Sequence, residues 1–88
     1  MKAIVSVIGK DKVGIIAKVS TQLAELGVNI LDISQTILDE YFTMMMVVSI
    51  QNAGDIASIS ERLSVLGAEI GVQITIQHES IFNAMHKL

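Results

Sequence analysis

An α+β sandwich, with one antiparallel sheet and two helices on one of its faces, is the fold class this sequence predicts. Three observations point to it. The apolar period alternates between two residues and three to four, in the order strand, helix, strand, strand, helix, strand. The stretch "LAELGVNI" at 23–30 returns forty residues later as "LSVLGAEI" at 63–70, with Leu, Leu, Gly and Ile identical. Finally, 51% of the 88 residues are hydrophobic, yet Phe42, Phe82 and Tyr41 are the only aromatics. Such a chain makes one domain with an aliphatic core.

The elements follow in order. Residues 2–8, "KAIVSVI", are β-branched and stop at Gly9, which predicts a first strand. From Val13 the period lengthens: Ile15, Ile16, Val19, Leu23 and Leu26 share one helical face, opposite Lys18, Thr21, Gln22 and Glu25. Gly27 ends this helix as a C-cap. Residues 28–38 and 41–51 read as second and third strands joined around Asp39-Glu40, a short turn without the favoured Asn-Gly or Asp-Gly. "NAG" at 52–54 breaks the third strand, and Asp55 is a natural N-cap for a second helix. Its stripe is Ile56, Ile59, Leu63 and Leu66, with Gly67 expected to end it. Residues 70–77 alternate, Val72, Ile74 and Ile76 against Gln73, Thr75 and Gln77. A final segment, "SIFNAMHKL", places Ile81, Phe82, Met85 and Leu88 on one face of a short helix.

The repeat turns this order into a topology. Two βαβ halves at one spacing are what a split-βαβ, ferredoxin-like βαββαβ sandwich requires. Right-handed crossovers then put both helices on one face of an antiparallel sheet of order 4-1-3-2. The domain is expected over residues 1–78, with a C-terminal helix over 79–88. Strand 3, "FTMMMVVSI", is apolar on both faces: Met44, Met46 and Val48 on one, Met45 and Val47 on the other. Helices cover only one face, so the other needs the C-terminal helix, a second subunit, or both. Methionine adapts to partners, which makes Met44, Met45, Met46 and Val47 interface candidates along with Phe82 and Met85. The excess of apolar residues for so short a chain likewise favours a homodimer or higher homo-oligomer.

The loop "GKDKVGIIAKV" at 9–19 carries what chemistry there is. Gly9 and Gly14 have P-loop spacing, but Gly14 is followed by Ile15-Ile16, so the phosphate-binding lysine and the magnesium-binding hydroxyl are missing. The dinucleotide fingerprint is absent too. As a helix start, Asp11 would be the N-cap, accepting from the N–H of Val13 or Gly14, with Gly14 allowing close packing. The same strand-to-helix loop offers free backbone donors at the positive end of a helix dipole, a ready carboxylate site. An amino acid docked there would present its carboxylate to the amides near Val13, Gly14 and Ile15, and its ammonium to Asp11. The two roles of Asp11 compete.

These residues carry a resemblance. "VIGKDKVGIIAKVSTQLAELGVNILDIS" resembles the first half of an ACT domain: a strand, then D-x-x-G-[IVL], an amphipathic helix, G-x-N-I and a second strand. Here that pattern is Asp11, Gly14, Ile15, then Gly27, Asn29 and Ile30. The resemblance runs from residue 2 to about 78 and is to the standalone ACT proteins rather than to the regulatory tails of enzymes. It implies amino-acid binding between subunits, at Asp11, Val13, Gly14 and Ile15 in the loop and at Asn29 and Ile30 on the second strand. Asn29 has a plainer role as a turn residue after a helix-ending glycine.

Other classes are excluded or unsupported. A net charge of −3 with no run of lysines gives no footprint for nucleic acid. Without cysteine there is neither disulfide nor thiolate chemistry, which suits the cytoplasm. The apolar run from Ala3 to Ile8 is too short for a signal peptide, and none approaches a membrane span. His78 and His86, eight residues apart, lack zinc-helix spacing, and no catalytic constellation can be placed. The sequence therefore predicts a homo-oligomeric regulatory module that binds an amino acid or related metabolite, without cofactor or metal, and alters an encounter with a partner protein. The competing reading is an assembly module that binds no ligand.

Overall fold

The computed structural model describes residues 1–10 and 14–80. Its elements run β1 (Lys2–Lys10), α1 (Ile15–Glu25), β2 (Asn29–Leu38), β3 (Tyr41–Ser49), α2 (Ile56–Ile70) and β4 (Val72–His78), with a 3-10 turn at Ala53–Asp55 leading into α2. The strands form one antiparallel sheet of order β2-β3-β1-β4, the expected 4-1-3-2 read from its other edge. Glu79 and Ser80 are helical, and the remainder of the expected C-terminal helix, with Phe82 and Met85, lies outside the described residues.

Register decides which side chains meet. Val5 of β1 stands opposite Met46 of β3 and Ile76 of β4, and Val7 opposite Met44 and Ile74. Ala3, Val5, Val7, Met44, Met46 and Val48 are 0% exposed and form one core with Ile15, Val19 and Leu23 of α1 and Ile59 and Leu63 of α2. The face of β1 and β3 that carries these six residues is therefore the helix-covered one. Met45 and Val47 point to the other side and are half-buried.

The helix ends show how backbone and packing share the work. Gly27 (φ 73) follows α1 in the left-handed region, and the Val28 N–H reaches back to the Leu23 carbonyl at 2.9 Å, closing the last turn as expected. Gly67 does not do the same for α2, which runs on to Ile70 before Gly71 (φ 76) caps it. Instead Gly67 is buried, and a Cβ built on it would lie 2.6 Å from the Val72 carbonyl oxygen. The residue is glycine because β4 starts directly against the helix backbone there.

Gly67→Ala is expected to destabilise the chain by about 2 kcal/mol, although Ala in an open helix gains about 0.5–1 kcal/mol over Gly. Since about 1 kcal/mol moves the Tm of a domain this size by roughly 4–8 °C, thermal melting should show a fall near 10 °C. An unchanged or raised Tm would show that α2 can lift from β4 at no cost.

Candidate ligand site and open strand edge

The β1–α1 loop delivers the chain to Gly14, which occupies the N-cap position of α1 with φ 88. The cap thus falls three residues beyond Asp11, where the sequence placed it. A positive φ suits glycine because it has no Cβ to crowd the following carbonyl. No atom comes within 4 Å of where a Gly14 Cβ would sit, so the residue serves the backbone angle and not the close packing expected of it. Its carbonyl accepts the Lys18 N–H at 3.0 Å, while the cap has no side-chain hydrogen bond and the first turn has no acidic residue. The amides opening α1 lack intrahelical acceptors by helix geometry, and the positive end of the dipole is unscreened by any carboxylate in that turn. Ile15 sends its side chain into the core, leaving only its backbone to face a ligand. Asp11 and Val13 lie outside the described residues.

The second half of the expected site is elsewhere. Asn29 is exposed at the start of β2, opposite Ser49, which in turn stands opposite Lys2. Ile30 follows, half-buried beside the core and opposite Val48. At the other end of the sheet Lys10 and Leu38 both stand opposite Tyr41, and this is the end from which α1 starts. Nine residue steps separate Asn29 from Leu38, about 30 Å of strand at ~3.3 Å per residue. Within one chain the structure does not bring Gly14 and Ile15 together with Asn29 and Ile30.

β2 is the exposed margin of the sheet. After a bulge at Ile30/Asp32, Ile33, Gln35 and Ile37 stand opposite Met46, Met44 and Phe42 and so face the helix side. The helix layer stops short of them: Ile33 is 43% and Ile37 58% exposed. Leu31 and Leu38 are exposed as well. Along the free edge, Asp32 Oδ1 accepts the Ile33 N–H at 2.9 Å. Beyond the bulge and Asp32, ten residues of strand without proline or lysine leave this edge open to pairing. Beyond Asn29 and Ile30, the sequence marks no β2 side chain for the site. The missing proline and lysine were the available signal.

The interface expectation changes in one respect. Met44 and Met46 are 0% exposed in the core and offer no surface. Met45 and Val47 remain on the uncovered face, where they border a hollow of about 160 Å³ with Ile4, Asp32 and Ser34. A second, open groove of about 300 Å³ lies on the outer side of the helices, between Lys18, Gln22 and Glu25 of α1 and Leu66 of α2. Among the described residues no polar or charged side chain is buried, and no group of three His, Asp or Glu stands ready to hold a metal ion. No described helix is long and apolar enough to cross a membrane.

Sheet order, helix placement and open backbone donors define a ferredoxin-like α+β domain whose distinctive groups lie on a loop and an edge, not in a closed cleft. A family model for the ACT domain matches residues 2–77, and the chain belongs to that family, whose members generally bind small molecules for regulation. It is 56% identical to a UPF0237 protein of Streptococcus mutans over 88 residues, all of both chains. It is 51% identical to a UPF0237 protein of Methanocaldococcus jannaschii, covering 99% of this chain and 98% of that one. Among solved structures, an ACT domain protein from Streptococcus pneumoniae superposes with a TM-score of 0.84 at 54% identity, over 93% of each chain. The regulatory subunit of aspartate kinase from Thermus thermophilus does so at 0.68 and 29% identity, over 86% of this chain and 50% of that one.

Proposed function

We propose that this chain is a regulatory module of the cytoplasm that binds an amino acid between two copies of itself and thereby alters an encounter with a protein partner. One observation supports this above the rest. The two halves of the site lie toward opposite ends of the sheet in a single chain, and the apolar edge between them is open. A second copy pairing antiparallel along β2 reverses that strand. The partner's Asn29 then comes to the end where Gly14 opens α1. The ligand carboxylate meets the α1 amides, its ammonium meets Asp11, and the partner's Asn29 closes the pocket. The Ile33 amide exchanges the Asp32 carboxylate for a carbonyl across the new strand pair.

Thermal melting against the standard amino acids at millimolar concentration tests the ligand. A selective rise is expected, since ligand at 100 times its Kd adds about 2.7 kcal/mol. Gly14→Asp should abolish that rise while leaving the unliganded Tm within a few degrees, because Asp tolerates the left-handed region and supplies its own cap to the amides. A flat panel would favour the assembly module without ligand. A shift that survives Gly14→Asp would move the pocket away from α1.

A further inference from the structure

The sheet face opposite the helices is composed unlike the rest of the surface. Among the described residues no element lies over it. Register sets its centre as Ile4, Ser6 and Ile8 of β1 beside Val47, Met45 and Thr43 of β3. None of these is charged, and neither are Gln73, Thr75 and Gln77, their neighbours on β4. Among the described residues, charge on this face is confined to Lys2 and Lys10, at the two ends of β1, and Asp32 on β2. The helices differ: Lys18, Glu25, Glu61, Arg62 and Glu69 are all exposed. Depletion of charge at the centre, with Met and Tyr present, is the compositional mark of a contact surface between proteins.

Apolar content and size agree with this. Tyr41 and Leu38 pair at one end of the same face and are 53% and 76% exposed, and Ile8 is 50% exposed. With Ile4, Met45 and Val47 they set apolar side chains among hydroxyls and amides. Four strands at ~4.8 Å and about eight residues at ~3.3 Å cover roughly 500 Å² in flat projection. Side chains standing off the sheet raise the accessible area further, towards the about 600–1,000 Å² that a stable contact buries on each partner.

The pattern is also complementary to itself. A second copy turned over about an axis that crosses the strands at Ser6 and Met45 lays β1 on the partner's β1 and β3 on the partner's β3, about 10 Å away. Ile4 then meets the partner's Ile8, and Ile8 the partner's Ile4. Met45 meets the partner's Met45 beside a hollow of about 160 Å³, the kind of gap an unbranched, adaptable side chain fills. Lys2 and Lys10 lie at the ends, where their ammonium groups extend into water. Ser34, near the middle of β2, stands on the same row as Met45. The axis is therefore perpendicular to the one relating copies paired along β2 and meets it, so the two contacts close into four chains instead of an open fibre.

We propose that this face seats a second copy of the chain, stacked sheet to sheet. The stack uses none of the β2 edge and does not depend on pairing there. It covers Ile8 and Tyr41, which edge pairing leaves in water.

Ile8→Lys with Thr43→Lys tests the stack. Both positions are exposed, so the single chain keeps its fold by far-UV circular dichroism, and each new ammonium is set against the partner's Ile4 or the partner's Val47. Thr43→Lys alone serves if the double variant fails to fold. The hydrodynamic mass at micromolar concentration should halve. Peroxide gives a second reading: Met45 should form sulfoxide about tenfold faster in the variant, while the buried Met44 and Met46 stay protected. An unchanged mass would overturn the proposal. So would a halved mass with an unchanged Met45 rate, because Met45 would then lie outside the contact. Adding Ile33→Lys and Ile37→Lys to the same chain separates the two surfaces. A second halving belongs to the β2 edge, and its absence would count against edge pairing while leaving the stack in place.

Discussion

Met46→Asp is expected to leave the chain unfolded, while Met45→Asp, one residue away, is expected to leave it folded. Met46 is 0% exposed, held between Val5 and Ile33 across the sheet and covered by the helices. Removing a buried Met side chain costs about 2–5 kcal/mol, and a carboxylate placed there has no partner, which adds several kcal/mol more. At about 0.05–0.15 kcal/mol per residue, the whole stability of this chain is on the order of 4–13 kcal/mol. The penalty takes most or all of it. Met45 points the other way, beside the hollow, and is only half-buried. Its loss should cost about 1–2 kcal/mol. Far-UV circular dichroism and thermal melting separate the two outcomes, and equal damage from both variants would reject the assignment of faces.

The second large effect concerns assembly. Ile33→Lys with Ile37→Lys is expected to halve the hydrodynamic mass at micromolar concentration while leaving the fold intact. Both side chains stand on the margin of β2 at 43% and 58% exposure, so each substitution should cost the single chain under about 1 kcal/mol. In a self-paired edge the new ammonium groups repel their copies, as lysines do on the edges of natural sheets. The same double variant should lose its thermal response to amino acids, because the partner's Asn29 is no longer supplied. An unchanged mass would remove β2 as the interface. A monomer that kept the full ligand shift would place the whole pocket within one chain.

Much of the fold was legible because the chain is locally consistent. The β-branched run at 2–8 has no helical stripe, and Ile15, Val19 and Leu23 have no strand alternation. Each segment therefore had one plausible period. The forty-residue echo was both helpful and misleading. It rightly paired two βαβ halves, and it wrongly gave Gly27 and Gly67 the same duty. Gly27 turns the backbone beyond α1, while Gly67 sits inside α2 to admit the start of β4. Both needs are met by lacking a Cβ, so the letter alone does not distinguish them. The loop was legible as a helix start but not to the residue. Asp11 is the better N-cap by side chain, whereas the observed cap is set by the backbone angle at Gly14.

By itself, then, the sequence determined the order of elements, the sheet topology, the aliphatic core and the family pattern from Asp11 to Ile30. Each of these is written in local spacing, because side-chain period and turn chemistry act over a few residues. Only the tertiary structure decided which face of β3 is covered, that β2 stands outside the helix layer, and that Gly14 and Asn29 lie at opposite ends of the sheet. Those depend on strand register and on where helices come to rest. A shift of one residue in register would exchange Met45 for Met46, and nothing in "MMM" says which is inside.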